Sequence, residues 1–138
     1  MACHQLIYIS RPTIKITAAV LLDILKKSEN KNHPHQISGL LVFHNGQFMQ
    51  LMEGEKKAVR NLFETVKHDP RHTDVEIVLE VDSPERCMPA WAMGFSMSDS
   101  VDSEISNQVF YISIDDTKQI CKLMKGDVGL QFLKFLGS

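Results

Sequence analysis

The sequence predicts a single α+β domain in which helices cover both faces of one sheet. Five short apolar segments have the length and composition of strands. Two stretches with apolar residues at helical spacing lie between these segments, and two more follow the last of them. The chain has 138 residues and 43% hydrophobic content, which is enough for one domain with a buried core.

The first strand is predicted over Gln5–Ser10, a short segment with the sequence QLIYIS. Side chains alternate between the faces of a strand, so Tyr8 and Ser10 share one face. The Arg-Pro pair that follows ends the strand. Thr17 is then the expected N-cap of a helix with the sequence AAVLLDILKKSEN, which ends before Pro34.

A β-hairpin is predicted next, because Ile37–His44 and Gln47–Gly54 flank the turn dipeptide Asn45-Gly46. The two strands should be antiparallel. Gln50 is unusual in the second of them, since the residues around it are apolar on both faces. A buried primary amide is unfavourable unless other groups form hydrogen bonds with it, so Gln50 needs polar partners.

A second amphipathic helix begins at Glu55 and ends near Asp69-Pro70. Two further strands follow, predicted over Val75–Val81 and Trp91–Met97. The resulting order, β-α-β-β-α-β-β, matches the ferredoxin-like split βαβ plan with an additional strand. Two helices would then cover one face of the sheet.

The last forty residues predict two short amphipathic helices, DDTKQICKLMKG and DVGLQFLKFLGS, separated at Gly126-Asp127. Ile7 and Leu51 point to the second face of the sheet, which therefore needs a cover. We expect residues 1–98 to form the core and residues 99–138 to form a C-terminal helical cap within the same domain.

The composition argues against several classes of function. The formal net charge is −2 and no cluster of Lys and Arg stands out, so we expect no direct nucleic-acid partner and no membrane partner. The start of the chain lacks a signal-peptide pattern and no apolar stretch is long enough for a membrane span, so we expect a cytoplasmic protein. The three cysteines lack the spacing of a zinc site and are expected to be reduced thiols. The histidines of the loops are expected to be solvated rather than to bind metal.

Several side chains differ from what a plain core would contain, and each has a simple structural explanation on its own. Tyrosine is often half-buried, and an asparagine often ends a helix. These residues belong to five motifs: QLIYIS with Tyr8 and Ser10, KN at Lys31-Asn32, ISGLLVFHNGQFMQLMEGE with Gln50, DPRH at Asp69 to His72, and WAMGF with Trp91 and Met93. Together, over residues 4–97, the motifs closely resemble the BLUF family of blue-light sensors using flavin.

The resemblance implies a non-covalently bound FAD whose isoalloxazine ring lies between the two helices, against the sheet face of Tyr8 and Gln50. FMN or riboflavin are the expected substitutes. Gln50 would bridge the tyrosine hydroxyl and the polar edge of the flavin, and Asn32 would bind the N3–H and O4 edge. The other implied contacts are apolar walls from Ile24, Phe48 and Val66 and polar neighbours from Lys31, Asp69, Arg71 and His72. Some members have an arginine where this chain has Thr65.

The resemblance also implies a photoreceptor rather than an enzyme. Tyr8 would donate an electron and then a proton to the excited flavin, and the Gln50 amide would rotate or tautomerise. The resulting red shift would accompany a signal through the last strand, with Ser10, Trp91 and Met93 as signalling residues. From there it would pass through the C-terminal helices to a separate partner protein. We expect a stand-alone photoreceptor that forms homo-oligomers.

Two functions of other classes stay open at this point. A flavin-dependent oxidoreductase would need a substrate pocket beside the ring, in the place that Tyr8, Gln50 and Met93 are expected to fill. A flavin-free interaction module with the same fold would be colourless. For the photoreceptor itself, the dark position of Trp91 relative to Met93 is also open, as is the choice between rotation and tautomerisation of Gln50.

Overall fold

The structure, a computed structural model, describes residues 3–15, 20, 23, 36–88, 93–97, 113–124 and 126–137, with the backbone alone for residues 93–97. The strands are β1 (Cys3–Pro12), β2 (Ser38–His44), β3 (Gln47–Gly54), β4 (His72–Ser83) and β5 (Met93–Met97). The helices are α1 (Lys56–Lys67), α2 (Ile114–Leu123) and α3 (Val128–Leu136). The first predicted helix lies outside the described residues apart from Val20 and Asp23, which are helical.

The described strands form one sheet in the order β4-β1-β3-β2-β5. Strand β1 pairs antiparallel with both β3 and β4, β2 pairs antiparallel with β3, and β2 pairs parallel with β5. Asn45 and Gly46 have φ angles of 52° and 74°. Two positive φ angles in a two-residue loop match the geometry of a type I′ turn, which confirms the predicted hairpin.

Strands β1 and β4 are longer than predicted. Their ladder runs from the pair Cys3↔Ser83 to the pair Pro12↔His72 and shifts register twice, once beside Tyr8. Backbone hydrogen bonds extend the ladder through polar residues, which a hydrophobic pattern does not indicate. A register shift bends a strand and redirects its side chains, so this irregularity affects the surroundings of Tyr8 directly.

The C-terminal helices cover one face of the sheet, as predicted. Strand residues and both helices form one buried cluster there. It includes Ile7, Leu40, Val42, Met49 and Leu51 from the sheet and Cys121, Val128 and Phe132 from the helices. Gly129 allows α3 to approach α2 closely, because a Cβ atom on this residue would lie 2.1 Å from the carbonyl oxygen of Cys121. Both helices therefore contribute to the hydrophobic core.

The opposite face of the sheet packs against α1. Val59 and Phe63 of this helix form a second buried cluster with Leu6, Tyr8 and Met52 of the sheet. The apolar stripe of α1 thus determines how the helix lies across β1 and β3. Tyr8 is the residue of this cluster that carries a polar group.

Phe132→Ala is expected to lower the free energy of unfolding by about 3–5 kcal/mol. The phenyl ring is fully buried between α3 and the sheet, so its removal leaves a cavity. Urea denaturation of both proteins measures the difference. Leu130→Ala is the control on the same helix: Leu130 is 52% exposed, and its truncation should change stability by less than about 0.5 kcal/mol. Equal effects of the two changes would contradict the packing described for α3.

None of the helices in the described part of the chain combines the length and the apolar character that a membrane span needs. Cys3, Cys87 and Cys121 are free thiols. Burial raises the pKa of Cys87 and Cys121 to about 11, so both thiols are protonated near neutral pH.

Candidate functional site

The centre of the site is a pair of buried polar side chains on neighbouring strands. Tyr8 of β1 lies directly opposite Gln50 of β3 in the antiparallel register. The two residues are 3% and 5% exposed, and the Tyr8 hydroxyl donates a hydrogen bond to Oε1 of Gln50. This bond explains how a glutamine can be buried in an otherwise apolar strand, because the amide has a polar partner on the same face of the sheet.

The surroundings of Tyr8 keep its phenol neutral. The ring packs against Phe63 at a centroid distance of 5.6 Å and meets the edge of His72 at 6.1 Å. Burial raises the pKa of the Tyr8 hydroxyl well above its usual value, and the carboxylate of Asp69 adds to this effect. Tyr8 therefore retains its proton and remains a hydrogen-bond donor to Gln50 near neutral pH.

Ser10 and His72 form a second polar contact on the same side of the sheet. Nδ1 of His72 lies 2.9 Å from Oγ of Ser10, and Nε2 lies 2.5 Å from the carbonyl oxygen of Val66. Because a carbonyl oxygen only accepts, Nε2 carries the hydrogen, and a neutral imidazole then accepts from the Ser10 hydroxyl at Nδ1. The contact joins β1, the start of β4 and the end of α1.

Asp69 and Arg71 form an ion pair at the edge of the site. Nη2 of Arg71 lies 2.7 Å from Oδ2 of Asp69, Nε lies 3.1 Å from Oδ1, and the backbone N–H of Arg71 also donates to this carboxylate. Nη1 lies 3.1 Å from the carboxylate of Asp23, a helical residue between β1 and β2. The hydrogen bonds from Arg71 lower the pKa of Asp69 to about 2. The guanidinium thus links Asp69, which precedes β4, to Asp23.

This ion pair predicts a pH dependence of stability. The pKa of Asp69 is about 2 in the folded chain, below its ordinary value of 3.8. The ionised carboxylate therefore contributes its full stabilisation of the fold above pH 3.8 and loses it as the pH falls to about 2. The difference in the free energy of unfolding between the parent protein and Asp69→Asn should be about 2 kcal/mol larger at pH 5 than at pH 2. Urea denaturation across this range measures the difference. A difference that is independent of pH would contradict the assignment.

Some of the other predicted site residues are described by the structure, and the rest lie outside the described residues. Phe48 is buried opposite Ser10 in the β1–β3 register and packs against Phe43 at 4.8 Å, and Val66 is half-buried on α1. Thr65 is exposed. The structure therefore brings together eight of the predicted residues at one side of the sheet: Tyr8, Ser10, Phe48, Gln50, Val66, Asp69, Arg71 and His72. Ile24, Lys31, Asn32 and Trp91 lie outside the described residues, as does the side chain of Met93.

Asp23 and Glu53 are among the charged residues whose structural contacts were not predicted from the sequence. Asp23 binds Arg71, and nothing in a helical pattern distinguishes it from an ordinary exposed acidic residue. Glu53 is fully buried near the end of β3. Its position provides a signal that could have been used, because Met49, Leu51 and Glu53 point to the same face of the sheet and a charge there needs partners.

The donors and acceptors of the site fit a flavin. An isoalloxazine ring has two apolar faces and a polar edge that both donates and accepts hydrogen bonds. Tyr8 and Gln50 place a phenol and an amide beside the apolar side chains of Phe63 and Val66. Among the described residues, no group of three His, Cys, Asp or Glu side chains is arranged to hold a metal ion.

Comparisons with known proteins identify a family that this chain resembles. The family model for BLUF, described as sensors of blue-light using FAD, matches residues 3–94. The photoactivated adenylate cyclase subunit beta of Euglena gracilis is 38% identical over 89 residues, which are 64% of this chain and 10% of that protein. The blue light- and temperature-regulated antirepressor BluF of Escherichia coli is 27% identical over 46% of this chain and 16% of its own length. The chain thus spans a small part of these curated relatives.

Solved structures show the same fold. A bacterial light-regulated adenylyl cyclase aligns with a TM-score of 0.67 and 28% identity, covering 76% of this chain and 31% of the cyclase chain. The dark-state structure of BlrB, a BLUF protein, aligns with a TM-score of 0.64 over 95% of this chain and 84% of its own, and at 22% identity it supports the fold alone. Since the family model matches well over half of its residues, the chain belongs to the BLUF family of blue-light sensors using FAD.

Proposed function

We propose that this chain binds FAD non-covalently on the sheet face of Tyr8 and Gln50 and reports blue light through the hydrogen bonds of Gln50. The observation that carries the proposal is the buried hydrogen bond from the Tyr8 hydroxyl to Gln50 Oε1. A phenol can donate an electron and a proton. An amide beside it can then change its hydrogen bonds by exchanging donor for acceptor.

Tyr8 is the proposed electron and proton donor. The bound flavin supplies the photochemistry, since its excited state is a strong one-electron oxidant. The phenol holds its proton in darkness because burial raises its pKa. Loss of an electron makes a phenol strongly acidic, and the Tyr8 proton already points to an acceptor, Oε1 of Gln50. Gln50 is therefore positioned to receive or relay the proton.

Gln50 is the proposed two-state element. A primary amide carries two donors on nitrogen and an acceptor on oxygen, so rotation or tautomerisation exchanges what it offers to Tyr8. Each altered hydrogen bond changes the free energy by about 0.5–1.5 kcal/mol, which corresponds to roughly a tenfold change in a population at the upper end. This is enough to bias a neighbouring strand between two arrangements but not to unfold the domain.

The remaining flavin contacts are proposed from the family resemblance. Ile24, Phe48 and Val66 would line the ring, and Asn32 would bind its polar edge. Lys31, Asp69, Arg71 and His72 would be polar neighbours of the outer edge or the side chain of FAD. Arg71 is already bound by two carboxylates, so we propose that it fixes Asp69 and Asp23 in place. FMN or riboflavin should also be accepted if the ring supplies most of the contacts.

The proposed output passes through Trp91, Met93 and Ser10 to the C-terminal helices. In this proposal residues 1–98 form the flavin-binding core and residues 99–138 form a cap within one domain, which the shared cluster around Phe132 supports. Leu123 and Leu130 are 83% and 52% exposed on α2 and α3, and these helices are the proposed surface for a homo-oligomer and for a separate signalling protein.

The other parts of the proposal concern what the chain does not do and where it acts. We propose that it is not itself an enzyme, because Tyr8 and Gln50 occupy the sheet face on which an oxidoreductase would bind its substrate. A net charge of −2 favours a protein partner over nucleic acid or an anionic membrane. Three free thiols are consistent with a cytoplasmic location.

The visible absorption spectrum of the purified protein, recorded before and after blue light and during recovery in darkness, tests the proposal. We expect a bound-flavin spectrum that shifts slightly to the red and then returns. Bleaching to reduced flavin would support an oxidoreductase instead. A colourless protein that takes up no FAD on reconstitution would support a flavin-free interaction module.

A further inference from the structure

Glu53 is a fully buried carboxylate near the end of β3 that no part of the proposed photochemistry uses. Four donors converge on it. Oε1 accepts from the backbone N–H of Met88 at 2.6 Å and from the Ser38 hydroxyl at 3.3 Å. Oε2 accepts from the backbone N–H of Cys87 at 2.9 Å and from the Gln5 amide at 3.1 Å. Since all four groups donate, the carboxylate acts as an acceptor at both oxygens.

Arg86 completes this network from the segment that follows β4. Its Nη1 atom donates to the Ser38 hydroxyl at 2.8 Å and to the backbone carbonyl of Glu53 at 3.0 Å. The Gln5 amide also lies 3.3 Å from the sulfur of Cys87. Residues 86–88 are thus tied to β1, β2 and β3 by side chains rather than by a strand ladder.

The network lies where the pairing of β5 with β2 begins. Gly39, which follows Ser38, pairs with Met93, the first residue of β5, and Met88 precedes Met93 by five positions. Strand β5 is five residues long and has one neighbour, β2, among the described strands. The register of a strand is set by its burial pattern and by the connection that leads into it, and a slip of one residue would move every side chain of β5 to the opposite face.

We propose that Glu53, together with Arg86, is a register lock that positions β5 against β2. It is a positioning residue, because it acts on β5 through the backbone of Cys87 and Met88. The lock determines which face Met93 occupies, and it therefore determines what the strand can transmit. This second step rests on the proposed photoreceptor function, whereas the fixing of β5 in darkness does not.

Glu53→Gln tests the lock with a minimal change in shape. A glutamine offers a single acceptor oxygen, and its NH₂ group faces donors, so at least one backbone N–H of residues 87 and 88 loses its acceptor. In darkness we expect the slowest-exchanging amides of Met93–Met97 to exchange roughly tenfold faster with solvent deuterium, while the centre of β1 changes much less. After blue light, the red shift should remain and the light-induced change in exchange over β5 should be reduced.

Two further variants make the result specific. Glu55→Gln is the matched control, because Glu55 is exposed and makes no side-chain cap contact with α1, and it should leave exchange unchanged. Arg86→Ala removes the hydrogen bonds of the guanidinium to Ser38 and to the backbone carbonyl of Glu53 and keeps the buried carboxylate. This variant replaces Glu53→Gln as the test if Glu53→Gln fails to fold. It should accelerate exchange in β5 in the same direction by a smaller factor.

Two results would overturn the lock. One is unchanged exchange over β5 in the variants. The other is acceleration by the same factor in β1 and β5, which indicates a general loss of stability. Absence of a red shift in the parent protein would instead refute the proposed photoreceptor function, and the dark comparison of β1 with β5 would still decide whether Glu53 positions the strand.

Discussion

Tyr8→Phe is expected to bind flavin and to show no red shift after blue light. The change removes the hydroxyl that donates to Gln50 and replaces an oxidisable phenol by a phenyl ring, while the packing against Phe63 is retained. The effect on stability should be small, about 1 kcal/mol, because one hydrogen bond is lost and Gln50 keeps its position in β3. Absorption spectra before and after illumination measure the light response, and flavin content per chain measures binding.

The chain has two tyrosines, which gives this prediction a chemical control. Tyr111→Phe makes the same change at the other tyrosine and should leave the red shift intact. A normal light response in Tyr8→Phe would refute the role of Tyr8. Loss of flavin in the variant would instead assign the hydroxyl to binding. The two proteins therefore separate the photochemical role of Tyr8 from a structural one.

The strands and helices could be predicted from local patterns where those patterns decide the structure. Asn45-Gly46 predicts the hairpin because few residues other than Asn and Gly accept positive φ angles, and the structure has them at both positions. The C-terminal helices could be placed on the sheet because Ile7 and Leu51 needed an apolar cover. In each case a requirement of a few neighbouring residues was sufficient.

The ends of β1 and β4 and the register shift beside Tyr8 could not be predicted in this way. They depend on backbone pairing between residues far apart in the chain, from Pro12 and His72, 60 positions apart, to Cys3 and Ser83, 80 positions apart. The Glu53 network has the same character, because its donors come from three separate segments of the chain. A buried carboxylate at an inward position indicates that partners exist, but the sequence does not identify them.

The candidate site was predicted from a resemblance more than from physical rules. The alternation of β3 shows that Gln50 is unusual, but its pairing with Tyr8 depends on the register of β1 with β3. The contact of His72 with Ser10 depends on how α1 ends and β4 begins, since His72 also binds the carbonyl of Val66. Family motifs record such distant arrangements without explaining them. The structure supplies the explanation for the residues that it describes.

Gln50→Leu is expected to bind flavin and also to show no red shift, although Tyr8 is still present. Leucine fills a similar volume on β3, so the buried position keeps its packing, but no amide remains to exchange donor for acceptor. The Tyr8 hydroxyl loses its acceptor in the buried pair, which should lower the free energy of unfolding by about 1–3 kcal/mol. Absorption spectra before and after illumination and urea denaturation measure the two effects.

Gln47→Leu is the control on the same strand, because Gln47 lies beside the hairpin turn and is only partly buried. It should keep the red shift. Flavin fluorescence distinguishes the two variants that are expected to show no red shift. Electron donation from Tyr8 competes with emission from the excited flavin. The fluorescence should therefore rise strongly in Tyr8→Phe and much less in Gln50→Leu. A red shift that persists in Gln50→Leu would show that the light signal is carried by Tyr8 without the amide, and Gln50 would then be a structural partner that holds the phenol in place.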